Sequence, residues 1–267
     1  MGVHGKGWAD EDSPESNQNI FRGSKNTTSV TLLAEMNWLD LTLRANLQMV
    51  RQFQRIQKMK SDRLPKIIFL WDKKISEQND FRTWYKELKI IHETYNMTHY
   101  FTNNLCCNLE TLRSSMEVKQ SVELRAKCAL KPKIKLFNEI AEFGKTPTYL
   151  SLPLTFRQKM FTAKLWLSAL PIRIETGRFE RPRLAPNERL CPSCGVQNAI
   201  ENETHFMFEC PSYNNLRNTW IETLKKGPEF DILPMSEKLK TCFNVKENVK
   251  ITAKYVIDCF DLRSRLI

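Results

Sequence analysis

The sequence has no apolar run long enough to span a membrane and no internal repeat of fixed period. One of its longest apolar stretches, residues 66–71 (KIIFLW), is far shorter than the roughly 20 residues that a bilayer-spanning helix needs. The first residues (MGVHGKGWADEDSPESNQ) lack an apolar core of the secretory kind, and Lys6 stands where a myristoylation signal requires Ser or Thr. We therefore expect an intracellular protein, in the nucleus or the cytoplasm, with no membrane partner.

The composition is that of a folded, basic protein. With 267 residues and 41% hydrophobic content, the chain can bury a core in one large or two small domains. Forty-one Lys and Arg against thirty Asp and Glu give a formal net charge of +11. Such a charge favours polyanionic partners where the basic residues are clustered. The eight cysteines are expected to stay reduced in the cell interior.

One segment has the spacing of a metal site, Cys191-x2-Cys194-x10-His205-x4-Cys210. Zinc prefers four thiolate or imidazole ligands in tetrahedral geometry, and paired ligands joined by a turn are typical of structural sites. Gly195 provides the permissive backbone that a turn after the first pair needs. We predict one structural Zn²⁺, because four protein ligands leave no position for a catalytic water. The alternative is that these are ordinary buried cysteines and a surface histidine.

The other cysteines lack metal-ligand spacing, and we interpret them as small buried apolar residues. They are Cys106, Cys107, Cys128, Cys242 and Cys259.

Apolar residues at three- and four-residue steps predict a mainly α-helical fold with a small zinc-binding hairpin and helix module in the C-terminal half. The predicted helices cover residues 30–60, 62–72, 76–93, 109–130, 133–143, 155–170 and 245–262, with a further helix beginning at Pro211. Residues 1–28 are expected to be a flexible leader or a severed connection. We assign residues 29–130 to an N-terminal helical region and residues 131–267 to a C-terminal one, with the zinc module at about 188–226.

Basic residues cluster in two segments. Residues 51–74 contain eight basic and two acidic side chains, and residues 156–190 contain eight basic and three acidic side chains. Arginine binds phosphate through two parallel hydrogen bonds, so an arginine-rich segment favours nucleic acid. The predicted contacts are Arg157, Lys159, Lys164, Arg173, Arg178, Arg181, Arg183 and Arg189. The alternative is a solvated surface with ion pairs to Glu175 and Glu180.

The order of these motifs resembles the C-terminal region of non-LTR (LINE-type) retrotransposon reverse transcriptases. The resemblance covers about residues 132–217 and rests on the segments 164–170 (KLWLSAL), 171–179 (PIRIETGRF), 188–194 (ERLCPSC), 201–206 (ENETHF) and 209–213 (ECPSY). It is looser upstream, at residues 33–38 (LAEMNW) and 69–72 (FLWD).

The resemblance implies that Cys191, Cys194, His205 and Cys210 bind zinc and that the region holds template RNA or target DNA. A reverse transcriptase core would be a second partner, and no small-molecule substrate is expected. The chain departs from the family because it has neither the aromatic-x-Asp-Asp motif of a polymerase nor an endonuclease. Polymerases need carboxylates that bind two metal ions, so we expect no catalysis by this chain alone.

The expected function is therefore a non-catalytic, zinc-stabilised nucleic-acid-binding fragment. A helical protein-interaction module with a purely structural zinc site is the alternative, and a large exposed apolar patch would favour it. A third interpretation, an enzyme fragment that acts with a separately encoded polymerase, stays open.

Overall fold

The computed structural model describes residues 29–224 and 229–267. Within these ranges the regular elements are helices, and the only β-type pairing is one antiparallel bridge between Leu190 and Ile200. The predicted helical fold class is confirmed. The predicted leader and the last residues of the predicted zinc module lie outside the described residues. None of the described helices combines the length and the apolar character that crossing a membrane would need.

Fourteen α-helices lie in the described ranges, joined by shorter 3₁₀ and π turns. They are α1 Ser29–Met36, α2 Leu41–Gln57, α3 Leu64–Gln78, α4 Trp84–Thr94, α5 Thr98–Thr102, α6 Leu109–Ala129, α7 Lys135–Ile140, α8 Thr148–Ser151, α9 Phe156–Trp166, α10 Arg173–Thr176, α11 Asn214–Thr223, α12 Glu229–Ile232, α13 Met235–Phe243 and α14 Lys246–Leu266. The 3₁₀ turns are Pro132–Ile134, Pro186–Glu188 and Pro211–Tyr213, and the π turn is His205–Glu209.

The chain divides into two compact units, and the first, Asn37–Leu124, has an aromatic core. The Phe53 ring lies 5.6 Å from Phe69 and 5.4 Å from Phe101, measured between ring centroids. His92 is buried in the same core and its Nδ1 lies 2.7 Å from the Leu88 carbonyl oxygen. Burial lowers the pKa of His92, which favours the neutral ring in this apolar core.

The second unit consists, within the described residues, of helix α1 together with the residues from Arg125 to Ile267. Its long helix α14 packs against α9, α11 and α13. The rings of Trp220 and Tyr255 stack in parallel at 4.2 Å between α11 and α14. This unit contains the predicted metal ligands and the arginine-rich segment.

The predicted helix over residues 30–60 is wrong in one respect, because it is two helices. Asn37 has φ of 50°, a left-handed conformation that ends α1 and that Asn tolerates better than most residues. Asp40 then caps α2 by accepting a hydrogen bond from the Thr42 amide at 2.8 Å. The apolar pattern in the sequence therefore continues across a break between two helices, which Asn37 and Asp40 produce.

The boundaries of the two units differ from those of the two helical regions assigned from the sequence. Helix α1 belongs with the C-terminal residues, where the Tyr149 hydroxyl donates a hydrogen bond to the fully buried Glu35 carboxylate. The other division lies at residues 124 and 125 rather than at 130. Spacing along the sequence cannot reveal a polar contact between residues more than a hundred positions apart.

Other helices follow the sequence closely. The Thr155 hydroxyl and the Gln158 side chain cap α9 reciprocally, as a capping box. That helix ends at Trp166 and not at Leu170, because Ser168 adopts φ of 48°. Four of the five remaining cysteines are buried as predicted, whereas Cys106 is exposed.

Candidate metal centre

The first two metal-ligand candidates lie on a short hairpin. The Cys191 amide donates to the Ala199 carbonyl at 2.7 Å, and the Glu201 amide donates to the Arg189 carbonyl at 2.9 Å. Gly195 and Asn198 turn the chain between these pairs with φ of 62° and 59°. Both residue types adopt this left-handed conformation at low cost, so the hairpin brings the thiols to one side.

The second pair of candidates, His205 and Cys210, lies at the start and just after the end of the π turn His205–Glu209. The Asn202 side chain accepts a hydrogen bond from the His205 amide at 2.8 Å and begins the turn. The Cys210 amide donates to the His205 carbonyl at 2.8 Å. This i to i+5 hydrogen bond is the π-type pattern, and it accommodates the x4 spacing of the two ligands.

The four side chains converge with the spacing of a tetrahedral site. One ligand atom from each of Cys191, Cys194, His205 and Cys210 lies within 4.8 Å of all the others. The Cys191 and Cys210 sulfurs are 3.9 Å apart, and the Cys194 sulfur is 3.6 Å from His205 Nε2. Zinc bonds of usual length place two sulfurs about 3.8 Å apart and a sulfur and a nitrogen about 3.5 Å apart. The donor set therefore fits one metal ion of zinc type.

Two of the thiols interact with each other directly. The Cys191 and Cys210 sulfurs lie within hydrogen-bond distance, and this contact together with burial raises the pKa of Cys191 to about 12. The same contact lowers the pKa of Cys210. A divalent ion would displace the thiol protons, because metal-bound thiols are deprotonated. His205 directs Nδ1 toward the Glu209 carboxylate, 3.7 Å away, which leaves Nε2 for the metal.

A buried arginine that the sequence analysis did not single out stabilises the second ligand pair. Arg217 donates from Nη2 to the Cys210 carbonyl at 2.7 Å and from Nε to the Met207 carbonyl at 3.2 Å. The Tyr255 hydroxyl donates to the same Met207 carbonyl at 2.6 Å. These donors satisfy carbonyls that the π turn leaves free. Nothing in the local spacing distinguishes Arg217 from a surface arginine.

An ion pair attaches the hairpin to the C-terminal helix. Arg263 donates from Nε and Nη2 to the two carboxylate oxygens of Glu201 at 2.6 and 2.8 Å. Glu201 is completely buried and also accepts the Arg173 amide at 2.6 Å. These hydrogen bonds offset the cost of burying the carboxylate. It connects the hairpin, α10 and α14 at one point.

The eight predicted nucleic-acid contacts fall into different environments. Arg181 and Arg183 are exposed and form no ion pair with described residues. Arg157, Arg173 and Arg178 pair with Asp261, Glu180 and Glu175 respectively. The ion pairs to Glu175 and Glu180 are those of the alternative interpretation, so the segment is partly a salt-bridged surface.

The remaining three are more constrained. Lys159 donates to the Leu150 carbonyl at 3.1 Å, and burial lowers the pKa of Lys164. Arg189 is only 2% exposed, and its guanidinium donates to the Leu184 and Ile174 carbonyls. The donors of Arg189 already bind backbone carbonyls of the loop. We therefore do not propose that Arg189 contacts a phosphate directly. A buried arginine adds the same charge to the total as an exposed one, so the net charge could not reveal that Arg189 points inward.

A glycine makes room for the Arg189 side chain. A Cβ on Gly177 would lie 2.8 Å from Arg189 Cγ and 3.0 Å from the Arg173 carbonyl oxygen. Both distances are too short for unstrained contacts. The residue after α10 must therefore be small for the arginine to pass beneath it.

Comparisons of the chain with protein-family profiles, with characterised proteins and with solved structures give no match. The site is therefore interpreted from its own geometry. The chain is a helical protein with a Cys₃His group able to hold one metal ion.

Proposed function

We propose that this chain is a zinc-stabilised module that binds RNA or DNA and has no catalytic activity of its own. The observation that carries the proposal is the closed Cys₃His group immediately after an arginine-rich segment. Four protein ligands suit a structural ion. The exposed Arg181 and Arg183 provide planar, permanently charged donors that match phosphate oxygens.

The overall charge and the order of the motifs support the same proposal. The formal net charge of +11 favours association with a polyanion. The motif order that resembles the C-terminal region of LINE-type reverse transcriptases adds the expectation that the strand is template RNA or target DNA, and that a polymerase core acts beside it.

The test is the salt dependence of binding to a labelled single strand, measured by fluorescence anisotropy. If about three phosphates are neutralised, the logarithm of the affinity should fall with a slope of about −2 against the logarithm of salt. This is about a 20-fold loss between 50 and 200 mM. No binding at low salt, or an affinity that salt leaves unchanged, would refute the proposal.

A matched pair of charge reversals separates a specific surface from general charge. Arg181→Glu should weaken binding more than Lys250→Glu, because both residues are exposed but only Arg181 belongs to the arginine-rich segment. Both variants change the net charge equally. Equal losses would indicate attraction by overall charge without a defined contact surface.

An exposed apolar surface on α3 favours a second candidate function, protein–protein contact. Five large apolar side chains there are between 48% and 67% exposed, namely Leu64, Ile67, Ile68, Leu70 and Trp71. Clustered exposure of this kind is typical of interaction surfaces. Self-association is the simplest version to test, by light scattering at several concentrations. A mass that rises with concentration, and that the Leu64→Glu, Trp71→Glu double variant returns to monomer, would favour this candidate.

A further inference from the structure

A cleft of about 710 Å³ lies beside the arginine-rich segment in the unit that contains the metal centre. Its lining includes the segment 130–136 and four residues between positions 178 and 189. Six basic side chains line it: Lys131, Lys133, Lys135, Arg178, Arg183 and Arg189. We call this the lysine–arginine cleft. Its three lysines were not among the contacts predicted from the sequence.

The charge of the lining identifies the class of ligand. Against the six basic side chains stand two carboxylates, those of Glu175 and Glu203. Burial raises the pKa of Glu203, which favours its neutral form. A concave surface lined mainly by one sign of charge concentrates oppositely charged ligands. The lysine–arginine cleft is therefore suited to an anion with several charges.

Glu175 holds two of the lining cations in place. Its carboxylate accepts a hydrogen bond from Lys133 Nζ at 2.6 Å and forms an ion pair with Arg178 Nε at 3.2 Å. The Glu175 side chain is only 6% exposed. One carboxylate shared by two cations leaves an excess of positive charge at this point.

The lining also includes side chains that are free to reach a ligand. Lys135 is 84% exposed and is only loosely paired with Glu139, at 3.9 Å. Arg183, which also lines the cleft, is exposed. The buried Arg189 adds a fixed positive charge to the lining, since arginine remains protonated. The lining thus combines buried and exposed cations.

The lining contains no aromatic side chain. Sequence-tolerant binding of single strands uses aromatic stacking in addition to charge, so this cleft is suited to the backbone and not to the bases. We infer that the lysine–arginine cleft binds consecutive phosphates of a nucleic-acid strand without reading its sequence. This inference rests on the proposed function and assigns the phosphate contacts to a particular place.

The test compares two double charge reversals of equal net charge. Lys135→Glu, Arg183→Glu changes two exposed residues that line the cleft, whereas Lys250→Glu, Arg265→Glu changes exposed basic residues of α14 that do not line it. Loss of two phosphate contacts should make the salt slope for a labelled single strand shallower by about 1.4. The α14 variant should keep the wild-type slope. Circular dichroism and zinc content establish that both variants are folded, and Lys135→Ala, Arg183→Ala provides a milder second version.

Binding of inorganic pyrophosphate, followed by amide shifts in NMR spectra, separates this inference from the proposed function. Shifts confined to residues 131–135 and 178–189 support anion binding in the cleft even if no nucleic acid binds, in which case the proposed function fails. Nucleic-acid binding with equal slopes in the two double variants overturns the inference and leaves the proposed function standing. Pyrophosphate shifts that avoid the cleft also overturn the inference.

Discussion

Glu35 on α1 should make the stability of the protein depend on pH. Its side chain is completely buried, and the Tyr149 hydroxyl donates a hydrogen bond to one carboxylate oxygen. The other oxygen has no hydrogen-bond partner within the described residues. Burial raises the pKa of Glu35 from 4.5 to about 7, and the Tyr149 hydrogen bond opposes that rise only in part. The folded protein therefore binds this proton more tightly than the unfolded chain does.

The sign of the effect follows from this difference. Compared with a neutral side chain at the same place, Glu35 costs no stability below about pH 4.5, because it is protonated there in both the folded and the unfolded state. As the pH rises towards 7, the unfolded chain gains by ionising while the folded state holds the proton, so stability is lost. Between pH 5 and pH 8 the loss amounts to about 2–3 kcal/mol.

The measurement is the free energy of unfolding in urea for the wild type and for Glu35→Gln. Glutamine has nearly the same shape and no charge in this pH range. Taking the difference between the two proteins at each pH removes the contribution of the metal ligands, whose affinity also changes with pH. We expect Glu35→Gln to gain about 2–3 kcal/mol relative to wild type between pH 5 and pH 8.

A second variant tests the cause of the shift. Tyr149→Phe removes the hydrogen bond that favours the ionised form of Glu35 and leaves the burial nearly unchanged. The loss of stability should then continue to a higher pH than in the wild type. A stability difference between wild type and Glu35→Gln that stays constant from pH 5 to pH 8 would refute the reasoning, because the carboxyl group would then not be protonated by burial.

Two further predictions concern the metal centre and its support. Cys194→Ser should lose the metal ion and unfold the segment around residues 190–224, whereas exposed Cys106→Ser should retain about one zinc per chain by elemental analysis; equal zinc in both would exclude the site. Glu201→Leu leaves the buried Arg263 without its partner, so unfolding in urea should show a loss of about 3–5 kcal/mol. Adding Arg263→Met should recover most of that loss, and a failure to recover it would show that the charge is not the cause.

The features that the sequence predicted correctly are those that depend on near neighbours. Zinc-ligand spacing is local, so Cys191, Cys194, His205 and Cys210 were identifiable before the structure brought them together. Helices α6, α9 and α14 follow an apolar period that needs only a few turns to recognise. Single residues with left-handed backbones, such as Asn37, break this correspondence.

The features that could not be predicted depend on residues far apart in the chain. The Glu201–Arg263 pair spans 62 positions, and the Lys133–Glu175 pair spans 42. Lysines and arginines contribute equally to a net charge wherever they point. The sequence therefore predicted a basic surface but could not separate the buried Arg189 from the exposed Arg183.

Arg189 connects the candidate metal centre to the lysine–arginine cleft, although the metal ligands do not line that cleft. Its carbonyl accepts the Glu201 amide in the hairpin that carries Cys191, while its guanidinium donates to the Ile174 and Leu184 carbonyls. The same residue lines the lysine–arginine cleft. The hairpin that a metal ion would close is thus continuous with the lining of the cleft through this one residue. If the proposals above hold, removing zinc should weaken strand binding by displacing that part of the lining, although no metal ligand contacts a phosphate.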